Sequence, residues 1–232
     1  MIEKIVMKPK KVVIACEVMR RELEFFARDD TNIEFRFMEQ GLHDTPKQMP
    51  ALIQEQVDLV QEYASEIILG YGFCSNGIVG VNASKQRLIV PKAHDCIALF
   101  MGSRTLYHSY FHENTGTYYL TSGWIDCEGH PLGFLENKYV PKMGREKAEW
   151  GIKMEMKDYN SLLFIDNQIL DVKAQKEEAK ANAHYFDLEY KELLAKTDLL
   201  KKIAIGPYDA EDFFIFQPGE TITNDILSQI DK

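Results

Sequence analysis

The chain has 232 residues, a length typical of one large domain or two small ones. Hydrophobic residues make up 45% and charged residues 27%, which is ordinary for a globular protein and excludes disorder as its main state. The net charge is −9 with His neutral, so the chain as a whole repels nucleic-acid backbones. No apolar run reaches the length of a membrane span, and the N-terminal segment lacks a signal-peptide core. We therefore expect a cytoplasmic protein without a membrane or nucleic-acid partner.

Predicted strands and helices alternate along the first half of the chain. The strands are expected at residues 11–15, 33–38, 66–70, 87–90 and 117–121. The helices are expected at residues 16–27, at residues 46–64 and from near His94–Cys96. The helix-length spacing between most strands favours parallel pairs joined by crossovers. The prediction is an α/β fold with a mostly parallel sheet and helices on both faces, of the Rossmann-like, doubly wound kind.

The second half of the chain predicts an α/β extension of that core. Residues 136–145 are largely polar and include Pro141 and Gly144, which indicates a break between subregions. A helix is expected at 146–156, a strand at 162–165, a long charged helix across 172–199, a strand at 213–216 and a short C-terminal helix. We expect residues 1–135 to form the core that carries the Cys and His residues. Residues 136–232 would then pack on that core as a continuation, giving one domain overall.

Chemically reactive side chains follow several of the predicted strands. Ligands of open parallel sheets bind beyond the carboxyl ends of the strands. The residues at these ends are Cys16 and Glu17, His43 and Asp44, Cys74 to Asn76, Lys92, His94 to Cys96, and Ser122 to Trp124. One cysteine at a strand end is usually a packed core thiol. Three at equivalent ends, one of them within His94-Asp95-Cys96, favour a shared site.

Thiolates with an imidazole suit zinc, and thiolates alone suit an iron–sulfur cluster. Cys74, His94 and Cys96 would supply the three protein ligands of an open zinc site, and Cys16 would complete the set or replace His94. A 4Fe-4S cluster on the three cysteines is the second interpretation. A third needs no metal, because Cys16 and Cys96 each precede a predicted helix whose dipole favours a thiolate. Cys127 is expected in a surface loop.

Other residues at this edge have predicted supporting roles. Glu17 or His43 would act as an acid or base, or would orient a ligand. The glycine-bearing loop from Gly70 to Gly77 predicts close contact with a bound cofactor or anion, through Gly72, Ser75, Asn76 and Gly77. A tight turn after a buried strand explains the same glycines equally well. The loop has neither a dinucleotide fingerprint nor a P-loop.

Four segments together resemble one known family: CEVMRREL, LGYGFCSNGIVGV, LIVPKAHDCIALFMGSR and GTYYLTSGWID. It is a bacterial and archaeal family catalogued as a domain of unknown function, number 1638. The resemblance implies an origin in anaerobes and a neighbourhood of corrinoid-dependent methyltransferase systems. Ser75 stands where the family usually has Gly, which leaves Cys74 in place. His94-Asp95-Cys96 is also similar to the His-x-Cys element of zinc-dependent thiol methyltransferases, whose barrel is too large for this chain.

Two functional hypotheses follow from the residues and the resemblance. The first is a metal-binding protein, with zinc preferred, that acts as an enzyme or accessory in anaerobic one-carbon or corrinoid methyl transfer. Its partner would be a small molecule or a corrinoid protein, with direct corrinoid contact and homo-oligomers among the expectations. The second is a non-catalytic protein that holds a small ligand or a partner in the same cleft at the strand ends.

Overall fold

A computed structural model describes residues 10–44, 47–73 and 76–230, without the side chains of His43 and Asp44. Two of the residues expected at the candidate site, Cys74 and Ser75, lie outside this range. In the described residues the strands are β1 (Lys10–Cys16), β2 (Ile33–Met38), β3 (Ala64–Gly70), β4 (Leu88–Pro91), β5 (Thr117–Leu120), β6 (Ser161–Asp166), β7 (Glu189–Leu194) and β8 (Phe213–Phe216).

The helices of the described residues follow the expected alternation with strands. They are α1 (Arg20–Ala27), α2 (Met49–Val60), α3 (Cys96–Met101), α4 (Arg104–Glu113), α5 (Ser122–Asp126), α6 (Pro131–Gly133), α7 (Val140–Met143), α8 (Arg145–Met156), α9 (Lys173–Tyr185) and α10 (Asp198–Ile205). Short 3₁₀ helices span Glu17–Met19, Gln40–Asp44 and Asn224–Gln229, and a π-helical turn spans Phe134–Tyr139. None of the described helices is both long and apolar enough to cross a membrane.

The chain divides into two compact units that interleave along the sequence. The first contains the described parts of residues 1–16, 23–96 and 201–232, and the second contains residues 17–22 and 97–200. The expected division at 135/136 falls inside the second unit, and the expectation that residues 136–232 continue the core as one domain overall stays a prediction.

The first unit is built on a five-stranded sheet in the order β2-β1-β3-β4-β8. The first four strands are parallel, and β8 pairs antiparallel with β4 at one edge. The prediction that β1, β3 and β4 are neighbouring parallel strands is confirmed. The apolar, β-branched run Val12–Ala15 is fully buried, as expected of a central strand. Because β1 lies between β2 and β3, the connections turn in opposite directions at β1, which creates a switch point between β1 and β3.

The second unit has its own three-stranded sheet, β5-β6-β7, which is entirely parallel. Its core includes Leu120, Leu162 and Phe164 from the strands, with Ile152 from α8 and Ala179 from α9. The α/β class with mostly parallel sheets surrounded by helices is therefore confirmed. The described residues form two such sheets, so the fifth predicted strand does not continue the sheet of the first four.

One predicted element in the C-terminal half is wrong. The single helix expected across 172–199 is α9 followed by strand β7, because Asp187, at φ +55°, turns the chain and the next residues pair with β6. Pairing with β6 overrides the helical preference of the Glu, Lys and Leu residues there. The break expected at 136–145 is largely helical. Pro141 lies in the first turn of α7, where a missing N–H costs nothing, and only Gly144, at φ +80°, interrupts the helices.

Candidate functional site

The first candidate site lies at the switch point of the five-stranded sheet, where β1 and β3 end. Ala15 is opposite Gly70 in the register, and Cys16 is the buried last residue of β1. A Cβ atom on Gly70 would lie 2.7 Å from the Cβ of Ala15. Glycine at position 70 therefore allows the backbones of β1 and β3 to approach closely at the edge where ligands of such sheets bind.

The loops that follow β3 and β4 pack directly against each other. The backbone N–H of Phe73 donates a hydrogen bond to the carbonyl oxygen of Ala93 at 3.0 Å. A Cβ atom on Gly72 would lie 2.5 Å from the carbonyl carbon of Asp95. Tyr71 and Phe73 are 3% exposed, so the base of this contact is closed to solvent. The sequence places Cys74 directly after the first of these loops and His94-Asp95-Cys96 within the second.

The predicted metal ligands are only partly covered by the structure. Cys96 is the first residue of α3, and both His94 and Cys96 are partly buried. Among the residues that the structure describes, no group of three His, Cys, Asp or Glu side chains could hold a metal ion. Cys16, His94 and Cys96 therefore do not form a ligand set by themselves. A zinc or iron–sulfur site at this edge requires Cys74, which lies outside the described residues.

The glycine-bearing loop owes two of its glycines to packing. Gly72 lies against Asp95, and a Cβ atom on Gly77 would lie 2.3 Å from the sulfur of Met49 in α2. Asn76 has a left-handed backbone at φ +59°, and its N–H donates to the carbonyl oxygen of Phe73 at 2.9 Å. The tight-turn explanation thus accounts for these positions. The predicted contact of Gly72, Ser75, Asn76 and Gly77 with a cofactor stays a prediction.

The predicted acid/base residues and Cys127 show little sign of special chemistry. The carboxylate of Glu17 accepts two hydrogen bonds from Arg20, one of them from Nη2 at 2.8 Å. His43 lies in the 3₁₀ helix Gln40–Asp44, but its side chain is outside the described part of the chain. Burial, followed by the nearby Glu17 and Asp126, raises the pKa of the Cys127 thiol, which disfavours a reactive thiolate there.

A second candidate site, which the sequence interpretation missed, surrounds Glu22 in the second unit. Glu22 lies in α1 and is only 2% exposed. Its Oε1 accepts a hydrogen bond from the hydroxyl of Ser122 at 3.0 Å, whereas Oε2 is buried and has no hydrogen-bond partner in the described residues. Burial raises the pKa of Glu22 to about 7, although hydrogen bonds from its own backbone and from Ser122 lower it. A carboxyl group with this pKa exchanges protons near neutral pH.

The carboxyl ends of β5 and β6 form the surroundings of Glu22. Ser122 follows β5 and begins α5. Residues 165 and 166 are the last two of β6, and the loop 167–170 follows them. In that loop Asn167 donates its side-chain amide to the carbonyl oxygen of Phe100 at 2.8 Å. Asp166 is held by Lys176 at 2.8 Å, and it accepts the backbone N–H of Gln168 at 2.7 Å. Glu22 thus lies at the ligand-binding edge of the second parallel sheet.

The sequence contained a signal for this second site. Val18, Glu22 and Phe26 are four residues apart, so they share one face of a helix, and Val18 is buried. A carboxylate in the middle of an apolar helix face is either costly or functional. The predicted list of strand-end residues included Ser122, but nothing in it connected Ser122 to Glu22 a hundred residues earlier.

These two sheets define the chain as an α/β protein with mostly parallel strands. A comparison with protein families finds a match to the family described as "Protein of unknown function (DUF1638)" over residues 37–204. The chain belongs to this family, as the resemblance predicts. No curated protein and no solved structure matches the chain.

Proposed function

We propose that the chain is a metal-binding protein that serves as an enzyme or accessory in anaerobic one-carbon, corrinoid-linked methyl transfer. The observation that carries the proposal is the packing of the loop after β3 against the loop after β4, through Gly72 and Asp95. This packing joins Phe73, the residue that precedes Cys74 in the sequence, to Ala93, the residue that precedes His94. Cys16, at the end of β1, is the candidate for a fourth ligand.

Zinc is the preferred metal because its usual protein donors are thiolates and neutral imidazoles. A bound zinc ion would supply an electrophilic centre that holds a thiol in its thiolate form. The role of the chain is to hold the donors. Tyr71 and Phe73 close the base of the loops to water, and the close approach at Gly72 fixes the distance between the loops. As a ligand, His94 would present one ring nitrogen to the metal.

The methyl-transfer part of the proposal rests on the family resemblance and on the His94-Asp95-Cys96 element. A thiolate is the nucleophile that accepts a methyl group in such chemistry, and a corrinoid protein or a small methylated molecule would be the partner. A cytoplasmic location would keep the cysteines reduced. A homo-oligomer is compatible with this function, and a 4Fe-4S cluster on Cys16, Cys74 and Cys96 is the alternative cofactor.

The second candidate function is non-catalytic binding of a small ligand or partner at the same strand ends. The observation that favours it is the structural use of the glycines: Gly72 and Gly77 are explained by packing against Asp95 and Met49. In that case the cysteines would be core thiols, and the edge would form a preshaped cleft.

Metal analysis of protein purified without oxygen separates the two functions. The first predicts about one zinc per chain, or about four irons with sulfide if the site holds a cluster. It also predicts that Cys74→Ser and Cys96→Ser each lose the metal, whereas Cys127→Ser, the matched control, keeps it. A folded, metal-free wild type, or metal content unchanged in both variants, would reject the metal function and leave the binding function.

A further inference from the structure

The second unit contains a carboxylate that the proposed metal function does not use. Oε2 of Glu22 is buried and lacks a hydrogen-bond partner in the described residues, although a buried polar atom that is left unpaired destabilises the folded state. Proteins rarely retain such an atom without a ligand, a water or a catalytic role. Glu22 therefore indicates a group that the protein alone does not provide.

A small cavity adjoins this carboxylate. It is lined by Glu22, Ser122, residues 165–170 and Val172, and its volume is about 10 Å³. A cavity of this size accommodates the centre of one water-sized group. An ammonium group has the size of a water molecule and offers three hydrogen-bond donors. Ile169, Leu170 and Val172 add apolar surface to the lining, which suits the alkyl part of an amine.

The charges around the cavity favour a cationic occupant. Two cations that the structure describes in this region already have carboxylate partners: Arg21 is paired with Asp126 at 2.8 Å, and Lys176 is paired with Asp166 and Glu192, each at 2.8 Å. In the part of the chain that the structure describes, Glu22 has no ion-pair partner of its own. Ionised Glu22 would be an uncompensated buried charge, which a bound cation would neutralise.

We propose that this cavity binds a primary ammonium group, with the carboxylate of Glu22 as its counter-ion. The hydroxyl of Ser122 holds Oε1, which leaves Oε2 to accept a hydrogen bond from the ammonium group. Binding near neutral pH is accompanied by release of the Glu22 proton to solvent, because only the ionised carboxylate pairs with the cation. The site is independent of the cysteines and of the metal proposal.

Methylammonium chloride is the probe, and the melting temperature of the full chain is the measurement. At pH 8, where Glu22 is ionised, methylammonium at ten times its Kd should raise the melting temperature by about 3–6 °C in a saturable manner. Tetramethylammonium chloride at the same concentration has the same charge but is too large for the cavity, so it should have no effect beyond that of NaCl. At pH 5, where Glu22 is protonated, the effect of methylammonium should disappear.

Two variants and one titration complete the test. Glu22→Gln should abolish the response, whereas Glu24→Gln, an exposed carboxylate on the same helix, should keep it. In the wild type, the carboxyl ¹³C titration of Glu22 should have its midpoint near 7, and methylammonium at ten times its Kd should lower that midpoint by about one pH unit. An equal response to both amines, an unchanged midpoint, or a wild-type response in Glu22→Gln would overturn the proposal. The titration uses the wild type alone, so it tests ammonium binding at Glu22 even if Glu22→Gln fails to fold.

Discussion

Gly72 lies so close to the backbone of Asp95 that a Cβ atom at position 72 would be 2.5 Å from the carbonyl carbon and 2.6 Å from the Cα atom of Asp95. No side chain fits at that distance, and a backbone cannot move aside as a flexible side chain can. Glycine at this position therefore allows the backbone of the loop after β3 to pack directly against the backbone of the loop after β4. Of the proposed ligands, His94 lies in the second loop, Cys96 begins α3 directly after it, and Cys74 follows Phe73 in the sequence.

The first prediction is that Gly72→Ala separates the two loops. We expect a loss of about 1–3 kcal/mol in the free energy of unfolding, because the added methyl group forces the backbone of Asp95 to move. We also expect weaker metal binding. Denaturant unfolding and metal analysis of the same sample measure both effects. Gly151→Ala in α8 is the control, since among the described residues only its chain neighbours and the backbone of its own helix can lie within 4 Å of the added Cβ.

In that control the free energy of unfolding should rise by about 0.5–1 kcal/mol, since alanine is the better helix former. Equal stability of Gly72→Ala and the wild type would show that the loops are not tightly joined.

The second prediction concerns the pH dependence of stability at Glu22. The pKa of Glu22 is raised in the folded state from the ordinary 4.5 to about 7, so the folded protein binds the extra proton between these pH values. The stabilisation is fully present below about pH 4.5 and is lost as pH rises to about 7, by about 3 kcal/mol in total. The side chain at position 22 cannot ionise in Glu22→Gln, so this variant should not lose that stabilisation as pH rises.

Urea unfolding of wild type and Glu22→Gln from pH 5 to pH 8 measures the difference. Relative to the variant, the wild type should become less stable as pH rises. Parallel pH profiles for the two proteins would mean that Glu22 has an ordinary pKa in the folded state.

The third prediction concerns a buried polar network that we interpret as structural. Asn182 is fully buried, and its Oδ1 accepts the backbone N–H of Leu132 at 2.9 Å while its amide group contacts Nδ1 of His130. Asn182→Ala removes the acceptor of the Leu132 N–H and one of the contacts of His130 Nδ1, which keeps the N–H of Gly133, and it should cost about 1–3 kcal/mol of unfolding free energy. Metal content should not change. Asn137→Ala, which removes an exposed hydrogen bond to Glu128, should stay within about 0.5 kcal/mol of the wild type.

The fourth prediction tests His94 as a ligand against His94 as a packed side chain. If His94 binds zinc, His94→Gln should lower zinc affinity by at least about tenfold while the fold is kept. Zinc retention by the wild type should also fall as pH drops, because protons compete for imidazole and thiolates. His184→Gln, an exposed histidine of α9, is the control. Unchanged zinc content in His94→Gln, together with a lower melting temperature, would assign His94 to packing. Unchanged metal content in His94→Gln, with iron as the bound metal, would indicate a cluster held by cysteines.

The central strands could be predicted from the sequence because short apolar, β-branched runs bounded by turns are typical of buried strands. The residues of β2 and β8 were predicted to the residue, and the parallel neighbours of β1 followed from the helix-length spacing. Strand β7 could not be predicted in this way. Its segment EYKELL carries strong helix formers and is half exposed, so only its pairing with β6 makes it a strand.

The candidate sites likewise have parts that the sequence predicts and parts that depend on tertiary packing. The strand ends could be located from the sequence, and with them the positions of Cys16, His94 and Cys96. The contact of Gly72 with Asp95 could not be predicted, because a close approach between two backbones depends on tertiary packing. The site at Glu22 could not be predicted, because it also requires Ser122 and the loop after β6. These segments come close to α1 only when the chain folds.

The most direct measurement of the metal proposal is an anomalous difference map from crystals grown without oxygen, with data collected on both sides of the zinc absorption edge. If the chain binds zinc as proposed, we expect one strong peak between the loop after β3 and the loop after β4. The peak should lie within about 2.3 Å of the sulfurs of Cys74 and Cys96 and about 2.1 Å of a ring nitrogen of His94. A map without any peak at these loops, from protein that is folded and has reduced cysteines, would contradict it.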